Sequence, residues 1–179
     1  MITVCSLARL QETVERTGAR KMITLINAGT RVDRPAAISA GDHLFLAFND
    51  ITAPAEGLTP PGEDHVRELL AFVSDWDRAT PLVIHCFAGI SRSTAAAFIT
   101  TCALAPKANE MALASSLRRA SPSATPNARL VALADTLLER DGRMVEAVRS
   151  IGRGADAFEG TPFTLSVAPA ASRTGPERA

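Results

Sequence analysis

At 179 residues, with 46% hydrophobic and 21% charged residues, the chain has the length and composition of one globular domain with a substantial core. Nineteen Lys and Arg residues cancel nineteen Asp and Glu residues, so no bulk charge recruits nucleic acid or an anionic membrane, and any positive potential must be local. Three cysteines, Cys5, Cys86 and Cys102, are too few and too scattered for a disulfide framework or a zinc site.

The first residues lack the basic and apolar regions of a signal peptide. No stretch approaches the ~20 apolar residues of a membrane span. The expected setting is cytoplasmic and reducing, which keeps thiols free.

Residues 2–7 read as a short buried strand. Leu10, Val14 and Thr17 then mark one helical face, ended by Gly18. Residues 21–26 form a second β-rich apolar run, and 27–41 read as a connecting loop with one short helical turn. A third strand at 44–48 runs into Asn49-Asp50. Pro54, Gly57, Pro60, Pro61 and Gly62 punctuate a loop. Val66, Leu69, Leu70 and Val73 place a helix over 63–78, and 82–85 is the central strand.

A helix over 91–104 is Ala-rich and apolar nearly all round, as a core helix should be, and Pro106 stops it. Asn109 caps the next helix. Thr125-Pro126-Asn127 starts another, whose stripe is Leu130, Leu133, Ala134, Leu137 and Leu138. Met144, Val148 and Ile151 suggest a last one. Strands alternating with helices, then helices alone, predict an α/β sandwich with a largely parallel sheet of four to five strands flanked by helices. The domain is expected to span 1–151, with 152–179 a disordered tail. Within that tail, the mildly apolar stretch 161–168 could dock on the body or on a second subunit.

The chemistry concentrates in His85-Cys86-Phe87-Ala88-Gly89-Ile90-Ser91-Arg92-Ser93, between the central strand and the core helix. A free cysteine alone is usually a small buried hydrophobe. Here an arginine follows it after five residues, across a glycine-bearing turn at a helix N-terminus. Such a turn aims backbone N–H groups at an anion, and Arg92 adds a two-pronged grip on phosphate oxygens. The same field favours the thiolate of Cys86, so anion binding and nucleophilicity share one cause. Arg92 opens a helix at the end that disfavours cations, so it wants an anion. His85 reads as a ring that braces the loop.

A general acid is needed to protonate the leaving oxygen, a contribution of about 10²–10⁴-fold. Asp33, Asp42, Asp50, Asp64, Asp75 and Asp77 lie upstream. Sites in parallel sheets lie beyond the carboxyl ends of strands, and Asp50 sits just past one and starts a Pro/Gly loop able to close. Asp64 is the runner-up, though helix capping explains it as well.

The stretch resembles the signature of the cysteine-dependent protein tyrosine phosphatases, His-Cys-x-x-Gly-x-x-Arg-Ser/Thr. In its Ala88-Gly89-x-Ser91-Arg92-Ser93 details it resembles the dual-specificity branch and its compact bacterial relatives. Low-molecular-weight phosphatases and arsenate reductases also carry Cys-x5-Arg, but near the N-terminus. The resemblance implies a phosphatase sandwich fold and a metal-free, cofactor-free phosphomonoester hydrolase. Its implied catalytic set is Cys86 as nucleophile, Asp50 as acid, Arg92, and Ser93 donating to the sulfur. Its phosphate cup is made by His85, Phe87, Ala88, Gly89, Ile90, Ser91 and Arg92. Asn127 matches a Pro-Asn placed near the loop in dual-specificity relatives, or is simply a helix cap.

The implied substrate is a phosphorylated protein or a small phosphoester. The chain has no tyrosine, so any aromatic wall must come from Phe or Trp76. No lysine among the variable loop positions argues against polyphosphorylated inositides. The rivals are a non-catalytic phosphate-binding module, a phosphatase for a non-protein ester, and a thiol redox protein pairing Cys86 with Cys5 or Cys102.

Overall fold

The computed structural model describes residues 1–167. A five-stranded sheet runs β3-β2-β4-β1-β5. Strands β1 (Ile2–Ser6), β2 (Lys21–Ile26), β3 (His43–Ala47) and β4 (Leu82–Cys86) are parallel, and β5 (Phe163–Leu165) pairs antiparallel with β1. The single-domain α/β sandwich with a largely parallel sheet flanked by helices, expected from the sequence, is the one found. Strand β4, in the middle and covered on both faces, is a continuous buried run (Leu-Val-Ile-His-Cys), as a central parallel strand must be.

The two faces of the sheet are covered unequally. Helix α1 (Leu10–Thr17) packs Leu10 and Val14 on one face, against Cys5, Met22 and Val83. Gly18 ends it in the left-handed conformation, with its N–H on the Val14 carbonyl. The other face carries α2 (Glu63–Ser74), α3 (Arg92–Leu104), α4 (Glu110–Ala120), α5 (Ala128–Leu137) and α6 (Arg143–Ile151). Helix α3 lies in the middle of this layer, and every residue from Arg92 to Cys102 is buried. Ala95, Ala96 and Ala97 give it a slim body, while Phe98 and Ile99 each contribute about 1.5–3 kcal/mol by burial.

A buried ion pair ties the helical layer together. Arg140 donates to Glu110 (2.9 Å), to the Cys102 carbonyl (2.8 Å) and to the Pro106 carbonyl (3.0 Å), so the end of α3 is held to α4 and to the turn between α5 and α6. Asp135 accepts from the amides of Gly142 (2.6 Å) and Met144 (2.8 Å) and so starts α6.

Several element boundaries differ from the sequence reading. Helix α2 stops at Ser74 rather than 78, because Trp76 turns inward and its indole N–H reaches the Thr80 carbonyl at 2.9 Å. Strand β3 starts one residue early, and the ladder still reaches Phe48, whose N–H donates to the Ile26 carbonyl. The stretch after 151 is not all tail. Phe163 and Leu165 are buried, and Thr164 pairs with Thr3 across the ladder, so part of it completes the sheet. The apolar stretch at 161–168 thus docks on the body, through 163–165. The expectation of disorder for 168–179 lies outside the described residues.

Candidate active site

In a parallel sheet the carboxyl ends of the strands gather at one edge. There the chain brings together Leu7 after β1, Asn27 after β2, Phe48 to Asp50 after β3, and Cys86 at the end of β4. The Cys86-to-Arg92 loop lies at this edge and leads straight into α3.

Four carbonyls of the loop are held from outside. The Phe87 carbonyl accepts from Leu7 N–H (3.1 Å), Ala88 from Gly160 (2.8 Å), Ile90 from Thr125 (2.9 Å) and Ser91 from Asn127 (3.4 Å). In a trans peptide the N–H points opposite to the C=O. Pinning these carbonyls outward therefore turns the amides of Ala88, Gly89, Ser91 and Arg92 inward. The Gly89 amide does so visibly, donating to Cys86 Sγ at 3.2 Å. Gly89 has φ +74°, and a Cβ there would lie 2.8 Å from the Ser6 nitrogen and 2.9 Å from the Cys5 carbonyl carbon. Only glycine suits that position.

Cys86 Sγ also lies 3.1 Å from Ser93 Oγ, in the first turn of α3. Arg92 is buried, and one of its terminal nitrogens donates to Asn27 Oδ1 (2.6 Å) and to the Phe48 carbonyl (2.8 Å). Its Nε has no hydrogen-bond partner among the described residues and stands 3.8 Å from Asp50 Oδ2. A buried, unpaired guanidinium N–H is costly unless an anion completes it.

Asp50 is at the site, as its position past β3 requires. Its Oδ1 accepts from Ser91 Oγ and from Asn127 Nδ2, each at 2.8 Å. Asn127 does both things between which the sequence left an even choice. Its Oδ1 accepts from Leu130 N–H (3.0 Å) as the α5 cap while its Nδ2 holds Asp50.

The other aspartates lie elsewhere. Asp64 is exposed in the first turn of α2. Asp33 pairs with Arg31, Asp42 with Lys21, Asp75 follows α2, and Asp77 accepts from Ala79 N–H.

His85 faces away from the sulfur. Its Nε2 is 2.7 Å from Thr24 Oγ1, which is also 2.8 Å from His43 Nε2. Burial lowers the His85 pKa to about 4; the adjoining Cys86 backbone opposes this, and His43 adds to it. The ring is therefore neutral near pH 7 and braces β4 against β2.

A pocket of about 460 Å³ adjoins the loop, lined in part by Asn27, Asp50, Ile51, Leu58, Phe87 and Arg92. Phe87 is 66% exposed beside it, the aromatic wall left open by the sequence. Trp76 is not that wall, because it is buried and reaches Thr80.

Asn27 and Gly160 escaped the sequence reading. Asn27 obeys the same carboxyl-end rule that found Asp50, so a signal existed. Gly160 left none, being far along the chain and acting through its backbone.

The known proteins match this picture. The family model described as protein-tyrosine phosphatase matches residues 52–122, the segment that holds the loop. No curated protein matches the chain. Among solved structures, the Cydia pomonella PTP-2 phosphatase is 17% identical, with TM-score 0.60 over 75% of this chain and 84% of its own. DUSP15 is 16% identical, with TM-score 0.58 over 84% and 89%. Human DUSP28 is 17% identical, with TM-score 0.54 over 78% and 92%. The fold is that of the protein tyrosine and dual-specificity phosphatases. The loop-bearing segment carries the sequence pattern of that superfamily, so the resemblance holds at both levels.

Proposed function

We propose that the chain is a phosphomonoester hydrolase working through a cysteinyl-phosphate. Cys86 thiolate attacks phosphorus, the P–O bond to the leaving group breaks, and Asp50 gives that oxygen its proton. Asp50 Oδ1 already accepts two hydrogen bonds, so Oδ2 is the oxygen that carries the proton. Water then attacks phosphorus, the same carboxylate takes its proton, and the S–P bond breaks to release phosphate. Ser93 donates to the departing sulfur. The inward amides and the Arg92 Nε, which makes no hydrogen bond among the described residues, stabilise the equatorial oxygens at both steps. Because the loop and Arg92 supply the positive field, no metal is assigned a role.

The observation that carries this reading is the convergence on one sheet edge of a sulfur that accepts from an inward amide, a buried guanidinium with an unpartnered Nε, and a carboxylate 3.8 Å from it. A non-catalytic module would need none of the Asp50 positioning by Ser91 and Asn127.

The substrate is proposed to be a phosphorylated protein, phosphotyrosine before phosphoserine. Phe87, Leu58 and Ile51 offer apolar surface beside the cup, and among the described residues Arg92 is the only cationic one lining that pocket. Hydrolysis of p-nitrophenyl phosphate that resists EDTA, is blocked by vanadate and is lost in Cys86→Ser supports the proposal. Turnover surviving Cys86→Ser would refute it. Among the described residues no helix is long and apolar enough to cross a membrane, in keeping with a proposed cytoplasmic site of action.

A further inference from the structure

Three of the four carbonyl anchors of the loop come from the body of the domain: Leu7 after β1, and Thr125 and Asn127 before α5. The fourth comes from the segment between α6 and β5, which crosses the outer side of the loop. Ala155 N–H donates to the Pro122 carbonyl, and Gly154 N–H to Thr125 Oγ1. Farther on, Glu159 Oε1 accepts from the buried Ser6 hydroxyl at 2.5 Å and faces Arg9 at 3.7 Å. Gly160 is then set against Gly89, where a Cβ would lie 2.8 Å from the Gly89 carbonyl oxygen and 3.4 Å from Ile90 Cγ1.

We infer that Gly160 is a positioning residue for the phosphate-binding loop: its N–H holds the Ala88 carbonyl outward and so keeps the Gly89 N–H aimed at Cys86 Sγ. The inference rests on the reading of Cys86 as nucleophile. The Ala88–Gly89 peptide is the unit most able to rotate, because glycine on one side lets the backbone adopt conformations closed to other residues. A rotation would replace the inward N–H with an inward carbonyl oxygen, putting negative charge where sulfur and phosphate need a donor. The Gly160 amide, at 2.8 Å, opposes it. The absence of a Cβ at 160 is what lets the two backbones come this close. Strand β5 and the Glu159–Ser6 bond bracket the anchor on both sides. The segment after α6 is therefore part of the active-site scaffold.

The test uses the full chain with Gly160→Ala, whose Cβ pushes the amide off Ala88, and Glu159→Ala, which releases the neighbouring clamp. Two quantities are read: the rate of Cys86 alkylation by iodoacetamide near about pH 6, where an ordinary thiol is protonated, and the affinity for inorganic phosphate. Gly160→Ala is expected to lower each by roughly ten-fold, the scale of one hydrogen bond to a charged group. Glu159→Ala is expected to lower both by less. Arg143→Ala, which removes a partner of Glu110 and nothing at the loop, should lower thermal stability and leave both unchanged. If Gly160→Ala does not fold, Glu159→Ala decides alone. Wild-type alkylation and phosphate affinity in the folded variants overturn the role of Gly160 and leave the phosphatase reading standing. Slow alkylation and no phosphate binding in the wild-type chain overturn both.

Discussion

Asn127 joins the cap of α5 to the carboxylate of Asp50: one amide accepts from Leu130 N–H and donates to Asp50 Oδ1. The fold thus fixes the proposed acid through a helix terminus. The two contacts can be separated. Serine also caps helices but is too short to replace the amide donor. Asn127→Ser is expected to keep stability within a few tenths of a kcal/mol, whereas Asn127→Ala should cost about 1 kcal/mol. Both should slow hydrolysis of esters with poor leaving groups more than p-nitrophenyl phosphate. Equal slowing on both substrates would place the function of Asn127 elsewhere.

Gly89→Ala meets two obstacles at once, a positive φ and backbone atoms of Cys5 and Ser6 within 3.0 Å of the new Cβ. Neither neighbour is a flexible side-chain end, so the loop must move. The expected result is loss of phosphate binding and of turnover, with unfolding still cooperative. Retention of vanadate inhibition at wild-type strength would contradict the cup geometry.

Acid should destabilise the fold through His85. Its folded pKa of about 4 lies below the ordinary 6.5, chiefly because burial disfavours the charged ring. The unfolded chain therefore binds the proton more readily between these values. The neutral-ring stability is fully present above pH 6.5 and is lost as pH falls toward 4, an effect of about 3 kcal/mol. His43, whose pKa is lowered first by its burial and then by Arg34, acts in the same direction. Urea unfolding across this window should show stability rising with pH, and His85→Gln should flatten much of the slope.

The Arg140–Glu110 pair should matter for stability and not for chemistry. Both side chains are buried, at 2.9 Å. Arg140→Ala leaves Glu110 with the half-exposed Arg143 as its remaining partner and strips the Cys102 and Pro106 carbonyls of a donor. Breaking such a pair costs about 3–5 kcal/mol. Turnover per folded molecule should be unchanged, which a combined unfolding and active-site titration would check.

Much of this was legible before any coordinates. The apolar run Leu82-Val83-Ile84 of β4 and the Ala-rich, largely apolar α3 told their own positions, because elements covered all round have such sequences. Cys86, Arg92 and Asp50 followed from residue type, spacing and the carboxyl-end rule, while Ser93 came only from the resemblance to the phosphatase signature. What stayed hidden acts through backbone or pairs over long range. Gly160 binds by its amide and carries no side-chain signal. Glu110 and Arg140 are charged residues whose burial only their mutual pairing makes tolerable, and no local pattern announces such a long-range pair. Strand β5 was missed because a three-residue strand in a Gly/Pro-rich stretch lacks the length for a period to show.

The thiol redox alternative is also testable. Burial pushes both Cys5 and Cys102 up to about 12, and all three cysteines are free. Iodoacetamide in the native state should modify Cys86 and spare the other two.

The central claim is that the Cys86 sulfur takes the phosphoryl group from its ester. Rapid acid quench of Asp50→Ala with a good-leaving-group substrate, followed by peptide mass analysis, tests this directly, because water activation is slowed while attack proceeds. The expected result is one phosphoryl group on the peptide containing Cys86, absent when Cys86 is serine. A chain that turns over substrate with no phosphoryl group on that peptide at any quench time would contradict the account.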